Sequence, residues 1–235
     1  MSAEALTQAE IDALLRAGGG AATQEEPVLT PEERDAAGQY ANIFRTAAQD
    51  VWPKLTGLSI TVSLSNLECM TAEQLISRCP EKLLMAHNTH TGDLAGDLLT
   101  VLPEAVALEL AGAMTGNKAE FGELEQSALG EGLGQLMGTL CTQLGRALKV
   151  NTQVTSTQVI PGTNSSESIT RPIESLGPRL ICSAFKISAG STGGEILLVL
   201  SGDSPLMRPQ TLRALVQLHR VSKASATLLT AAVLG

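Results

Sequence analysis

Two polar stripes, each on a predicted long helix, carry the residue types that could do chemistry. Asp35, Gln39 and Asn42 follow one another at spacings of four and three residues, which places one carboxylate and two carboxamides on a single helical face. Ser127 and Glu131 repeat the start of this pattern 92 residues later. Such a face could contact polar groups of a partner. It could equally be a solvated face without a role.

The second predicted helix is unusually rich in glycine. A glycine inside a helix costs about 0.5–1 kcal/mol of stability relative to alanine, because the glycine backbone loses more conformational freedom on folding. This cost predicts that a neighbouring backbone or a partner approaches closely there, or that the glycines serve internal helix packing. The glycines are Gly130, Gly132, Gly134, Gly138 and Gly145, and two of them occupy the remaining places of the polar stripe.

Apolar residues at helical spacing predict the two helices that carry these stripes. The first apolar face comprises Ala36, Tyr40, Ile43, Phe44, Ala47 and Val51, and the second comprises Leu129, Leu133, Leu136, Leu140, Leu144 and Leu148. Each helix is followed by a predicted strand, "LSITVSL" in the first case and "NTQVTSTQV" in the second.

Further matches between the two halves predict an internal repeat. "GDLAGDLLTVLPEA" and "GSTGGEILLVLSGD" each place a glycine turn before an apolar strand, at an offset of 98 residues. The helices are offset by 92, and the excess of six predicts a longer loop within "PGTNSSESITRPIESLGP". We therefore expect an α+β domain with pseudo-two-fold symmetry, in which two copies of one unit pack long helices on a β-sheet.

The N-terminal segment "ALTQAEIDALLRAGGG" predicts one short amphipathic helix on a tether. Thr7 and Glu10 have the spacing of a capping box, and Ile11, Leu14 and Leu15 share one face. Three glycines end the helix. Helices shorter than about 12–15 residues are marginal alone in water, so this one needs a surface. It either frays or folds back on its own domain, or it docks in a groove of another protein.

Composition excludes several classes of function. A net charge of −8 and 2% aromatic residues argue against a nucleic-acid partner. We see no signal peptide, and no apolar run approaches the roughly 18 residues of a membrane span, so direct membrane insertion is not expected. The four cysteines lack CxxC spacing, so we expect neither a metal nor a cofactor. We expect the cysteines to be small core residues of a protein in a reducing cytoplasm.

These observations divide the chain into five parts. We expect a helix over 1–17, a flexible linker over 18–28, two repeats over about 29–120 and 121–204 that form one domain, and a helical tail over 205–235.

Motifs in the N-terminal segment and in the remainder of the chain resemble one known family. "LTQAEIDALL" resembles the N-terminal segment of the flagellar switch proteins FliM and FliY, which binds phosphorylated CheY. The remainder, from Leu29 to about Asp203, resembles the CheC/FliY phosphatase and FliM middle-domain superfamily. The stretches that match are "ERDAAGQYANI", "ITVSLSNLECMTAEQLISRCP", "GDLAGDLLTVLPEAVALELAGAMTG" and "EQSALGEGLGQLMGT".

The resemblance implies a fold and a binding segment. The family fold is a pseudo-two-fold α+β domain, in agreement with the predicted repeat. The residues implied to bind the phosphorylated regulator are Leu6, Glu10, Ile11, Asp12, Leu14 and Leu15.

The resemblance also implies a role for the polar stripes. Active family members carry Asp or Ser, then Glu four residues on, then Asn three further, and a proline about 22 residues beyond. The Asn orients the water that attacks the aspartyl phosphate of the regulator, the Glu binds a lysine of the regulator, and the regulator's own metal ion carries the charge.

Neither stripe matches this pattern completely. The first keeps Asp35 and Asn42 but has Gln39 at the glutamate position, and the second keeps Glu131 but has Gly134 at the asparagine position. The proline is absent from both, since Leu64 and Ser156 stand around its place. The resemblance therefore implies that a catalytic role for the first stripe rests on Asn42 and that the second stripe is inactive.

Two hypotheses of function follow from the resemblance. The chain is a switch or adaptor protein that captures phosphorylated CheY and sits in the cytoplasm at the flagellar basal body, beside C-ring proteins such as FliG and FliN-type proteins. Alternatively, it is a CheY-phosphate phosphatase that uses Asn42. The resemblance to FliM and FliY implies a C-terminal domain of the FliN type, for which we expect no room in this chain.

Overall fold

The structure is a computed structural model that describes residues 28–205 and positions 208, 211 and 214. The predictions for 1–17 and for most of the linker and the tail lie outside the described residues. In chain order the elements are α1 (Pro31–Thr56), β1 (Ile60–Met70), α2 (Ala72–Arg78), β2 (Lys82–Gly92), β3 (Gly96–Pro103), α3 (Glu104–Thr115), α4 (Glu123–Leu148), β4 (Thr152–Thr163), α5 (Glu167–Ser175), β5 (Leu180–Ala189) and β6 (Thr192–Ser201).

The six strands form one antiparallel sheet with the order β1-β5-β6-β3-β2-β4. Exchanging the strands of the first half (β1, β2, β3) with those of the second (β4, β5, β6) gives the same order read backwards. Each half also runs helix, strand, helix, strand, strand. The predicted α+β class is confirmed. The connections have the two-fold character that a duplication requires, and the common origin of the halves stays a prediction.

The two long helices begin with the same local device. Both contain 26 residues, and the third residue of each, Glu33 in α1 and Glu125 in α4, accepts the backbone N–H of the residue that precedes the helix. Thr30 completes a capping box with Glu33, whose carboxylate also accepts two N–H groups of Arg179 at 2.7 and 2.8 Å. Such contacts satisfy N–H groups that a helix start leaves unpaired.

The sheet separates two core layers. The long helices and α3 cover one face, where Phe44 of α1 meets Phe185 of β5 with ring centroids 5.0 Å apart. The short helices α2 and α5 cover the other face through Leu75, Ile169 and Ile173. This arrangement buries the apolar faces of α1 and α4 and turns their polar faces outward.

The extra length predicted within residues 161–178 lies in that stretch, since β4 ends at Thr163 and β5 begins at Leu180, whereas β1 ends at Met70 and β2 begins at Lys82. The stretch is not a loop throughout, because it contains helix α5, although Pro172 lies inside it. Ile169 and Ile173 are four residues apart and fully buried, so their packing against the sheet forms a helix that the surrounding Ser, Pro and Gly residues obscured.

Both edge strands contain a β-bulge. Ser65 is the extra residue of β1 against β5, and Thr155 is the extra residue of β4 against β2. Each hydroxyl donates to a carbonyl of the paired strand, Ser65 to Ala184 at 3.0 Å and Thr155 to Thr89 at 3.2 Å. Bulges at sheet edges hinder pairing with another strand.

Candidate functional site

The first polar stripe lies on the outer face of α1. Asp35 and Asn42 are exposed and Gln39 is half-buried, whereas Tyr40 and Phe44 on the opposite face are buried. The structure therefore brings the three predicted residues of this stripe together on one accessible surface.

Hydrogen bonds within α1 hold the side chain of Asn42. Its Oδ1 accepts N–H groups of Arg45 from Nη2 at 2.7 Å and from Nε at 3.2 Å. Nη1 of Arg45 donates to Oε1 of Gln49 at 2.8 Å. The backbone carbonyl of Asn42 accepts the hydroxyl of Thr46 at 2.9 Å.

The second polar stripe borders a groove between α4 and the edge strand β4. The groove has a volume of about 630 Å³, and Ser127 and Glu131 line it together with Glu123. Ser127 and Glu131 are exposed, and the carboxylate of Glu131 accepts Nε2 of Gln135 at 3.3 Å. The helix start thus presents carboxylates to the groove, which favours a cationic contact.

The groove continues along β4 past the glycines of the stripe. A second part of about 570 Å³ is lined by Gly134, Gly138 and residues 151–157 of the loop and strand. A β-carbon at position 134 would lie 3.6 Å from Oγ1 of Thr157, and one at position 138 would meet no atom within 4 Å. Gly138 therefore faces open space, and Gly134 has room for a β-carbon in ordinary contact with Thr157.

Another glycine of α4 has a different role. A β-carbon at position 132 would lie 2.8 Å from a ring carbon of Trp52, so Gly132 allows α4 to pack closely against the indole of α1. The two explanations of the glycine-rich helix therefore apply to different residues. Gly132 serves internal packing, while Gly134 and Gly138 leave room at the surface.

Sequence reasoning missed two residues of these surfaces. Arg45 has no place in the family pattern, yet it contacts Asn42. Its spacing of three residues from Asn42 on a helix was the signal available. Thr157 of β4 lies beneath Gly134 and donates its hydroxyl to Oδ1 of the buried Asn88 at 2.9 Å. No local pattern links a strand residue to a helix 20 or more positions away.

The positions that lack the family proline lie beside the two bulges. Leu64 directly precedes Ser65, and Ser156 directly follows Thr155. Leu64 is an exposed large hydrophobic residue, with 40% of its surface accessible. Leu6, Glu10, Ile11, Asp12, Leu14 and Leu15 lie outside the described residues.

The cysteine and histidine side chains that the structure describes show no grouping typical of a metal site. His90 is buried, and its Nδ1 lies 3.6 Å from Sγ of Cys141. Burial lowers the pKa of the His90 imidazole and raises the pKa of the Cys141 thiol, so both favour the neutral form. Within the described part of the chain, no cluster of three or more His, Cys, Asp or Glu residues could hold a metal ion. No helix there is long and apolar enough to cross a membrane.

Comparisons with known proteins give relatives of one kind over most of the chain. The flagellar motor switch phosphatase FliY of Bacillus subtilis is 27% identical over 150 residues, which are 59% of this chain and 39% of that protein. The crystal structure of FliY from Thermotoga maritima superposes with a TM-score of 0.70 and 21% identity, covering 81% of this chain and 98% of that one. The chain is similar in sequence to FliY and has the fold of the CheC/FliY/FliM superfamily.

Other solved structures share the fold at lower sequence identity. The FliM middle domain from H. pylori has a TM-score of 0.59 and 14% identity, over 80% of this chain and 99% of that one. No family model matches the chain.

The chain spans 39% of the length of the curated FliY of Bacillus subtilis. A run of 35 residues, 15% of this chain, is 63% identical to the bifunctional protein GlmU of Desulfitobacterium hafniense and covers 8% of that protein. A match of that length gives local likeness alone.

Proposed function

We propose that the chain is a flagellar switch-type protein that captures the phosphorylated response regulator CheY through its N-terminal segment. One observation supports capture over hydrolysis as the main activity. Neither polar stripe holds the full set of groups expected of a phosphatase, since Gln39 replaces a carboxylate on α1 and Gly134 removes the carboxamide on α4.

The capture segment has the chemistry of a helix that docks in a groove. Ile11, Leu14 and Leu15 would form an apolar stripe, and Leu6 lies directly before the predicted helix cap Thr7. Burying such a side chain contributes about 1.5–3 kcal/mol before the cost of ordering the segment. Glu10 and Asp12 flank the stripe and would contact polar groups at the rim of the groove.

Further partners in the motor are part of the proposal. The FliM of the H. pylori FliG–FliM complex has the same fold, with a TM-score of 0.59 and 14% identity. We propose that the domain docks on C-ring proteins, namely FliG and FliN-type proteins, on the cytoplasmic side of the basal body.

A charge placed on the apolar stripe tests the capture segment. We expect Ile11→Asp to remove most of the binding of phosphorylated CheY, because the new carboxylate would be buried without a partner. Ala13→Asp introduces the same charge on the opposite helical face and should leave the Kd within about twofold. Equal losses in both variants, or none in either, would contradict the proposal. Calorimetric titration of each full-length variant gives the comparison.

A second candidate function is hydrolysis of CheY phosphate at α1. The exposure of Asn42 beside Asp35 and Gln39 favours it, because an accessible helix face could enter the active site of a docked regulator. Asn42 would orient the attacking water, and Gln39 would bond the lysine of the regulator without the strength that a charge adds. Asp35 would sit at the start of the contact, and Glu131 would bind a lysine at the second stripe.

Phosphate release distinguishes the two functions. The switch hypothesis predicts weak or absent release by the wild type, and the phosphatase hypothesis predicts fast release that Asn42→Ala abolishes. Release that survives Asn42→Ala would place the active site elsewhere.

A further inference from the structure

The carboxamide oxygen of Asn42 is fully occupied by one neighbouring side chain. Arg45 donates to it from Nη2 at 2.7 Å and from Nε at 3.2 Å. A guanidinium has donors and no acceptor, so the atom that it faces must be the oxygen and not the nitrogen of the carboxamide. Because a carboxamide oxygen has two lone pairs, the two N–H groups of Arg45 use both.

A second contact fixes the guanidinium in this place. Nη1 of Arg45 donates to Oε1 of Gln49 at 2.8 Å, one helical turn further along α1. Arg45 is half-buried, whereas Asn42 is exposed. Among the described residues none bonds Nδ2 of Asn42, so the donor end of the carboxamide is the end presented outward.

This orientation is wrong for a residue that directs an attacking water. A water that attacks phosphorus must point a lone pair at the phosphorus atom, so its protons turn to the protein and need acceptors. The acceptor of Asn42 is Oδ1. Its Nδ2 could only donate to a lone pair of the water, which makes the water a weaker nucleophile and leaves its protons without an acceptor.

We propose that Arg45 is a positioning residue that holds Asn42 in a form unable to orient water until the regulator docks. The inference rests on the proposed contact of α1 with the phosphorylated regulator. In the docked complex the anionic phosphoryl group competes with Asn42 for the guanidinium, and the cost of breaking the hydrogen bonds between Arg45 and Asn42 is part of the barrier to hydrolysis. Release of the guanidinium frees Oδ1 to accept a proton of the attacking water.

The test compares steady-state phosphate release by full-length variants. We expect Arg45→Ala to raise kcat by about threefold to tenfold, the equivalent of one surface hydrogen bond, and to leave KM within about twofold. Gln49→Ala should raise kcat less, because it removes only the anchor of the guanidinium. Lys54→Ala is the control, since it removes a cation of the same helix that bonds Asp50 at 2.6 Å, and its kcat should not change.

The double variant and a binding measurement make the result decisive. The gain of Arg45→Ala should vanish when Asn42→Ala is added. The role of Arg45 would be overturned by an unchanged or lower kcat in Arg45→Ala, which includes the case that neither the wild type nor this variant releases phosphate. A gain that persists in the double variant would also overturn it. If the variants bind the phosphorylated regulator and only this prediction fails, the proposed function stands. If none of the variants binds it, the proposed function fails.

Discussion

Gly132 of α4 lies directly against the indole ring of Trp52 of α1, where a β-carbon would come within 2.8 Å of a ring carbon. Trp52 is buried, with 2% of its surface exposed, so the ring cannot move toward solvent. This contact sets how closely the two helices approach, and therefore fixes the spacing of the polar stripes that they carry.

Gly132→Ala should destabilise the domain by about 1–3 kcal/mol, since the added methyl group overpacks a rigid ring. Gly138→Ala, two turns further along the same helix, should stabilise it by about 0.5–1 kcal/mol, because nothing lies within 4 Å of the new carbon. Urea denaturation of both variants checks the pair. Equal changes in the two free energies of unfolding would refute the packing role of Gly132.

Gln39→Glu should strengthen the contact of α1 with a lysine of the regulator. A charge-assisted hydrogen bond is about twice as strong as a neutral one, so we expect kcat/KM for phosphate release to rise by about threefold to tenfold. The gain should shrink at high salt, because screening weakens exposed charge pairs. A gain that does not depend on salt, or no gain, would mean that Gln39 does not face a cation.

Gly134→Asn should restore the missing carboxamide of the second stripe. The new β-carbon meets Oγ1 of Thr157 at 3.6 Å, an ordinary contact, so the groove accommodates the side chain. In an Asn42→Ala background, phosphate release should rise by about one order of magnitude, equivalent to about 1.4 kcal/mol of barrier. Gly138→Asn is the matched control, and an equal gain there would show that the stripe pattern does not matter.

The buried His90 should make the protein sensitive to mild acid. Burial holds the pKa of its imidazole below the ordinary 6.5, so below pH 6.5 the unfolded chain binds a proton that the folded chain does not. Stability is then retained above pH 6.5 and lost as the pH falls, by at most about 1.4 kcal/mol per pH unit. His90→Gln removes this titration.

Urea denaturation of the wild type and of His90→Gln at two pH values, about one unit apart below pH 6.5, measures this loss. The wild type should lose more stability than the variant. Equal losses would show that His90 does not titrate differently in the folded and unfolded states. The comparison uses the slope with pH, so a lower overall stability of the variant does not affect it.

Periodicity predicted the elements whose residues bury one continuous face. The apolar stripes of α1 and α4 and the glycine turn before each inner strand were visible because burial repeats at the period of the element. Helix α5 was missed because only Ile169 and Ile173 carry its burial, within a stretch of turn-forming residues.

The candidate site was predictable only where it lies on one helix. Asp35, Gln39 and Asn42 share a face through spacing alone, and the structure places them together. Thr157 reaches Gly134 through the packing of β4 against α4, and neither hydroxyl nor glycine has a local pattern that indicates the other. Contacts between elements depend on tertiary packing, which spacing along the chain does not encode.

The most direct test of the proposed function is a titration of the full-length chain, and of the chain lacking residues 1–20, with CheY in its phosphorylated and unphosphorylated forms. We expect the full-length chain to bind phosphorylated CheY more tightly, by about tenfold or more, a difference of about 1.4 kcal/mol. The shortened chain should lose this preference. Equal affinity of the full-length chain for both forms, or a preference that survives the deletion, would contradict the proposal that the N-terminal segment captures the phosphorylated regulator.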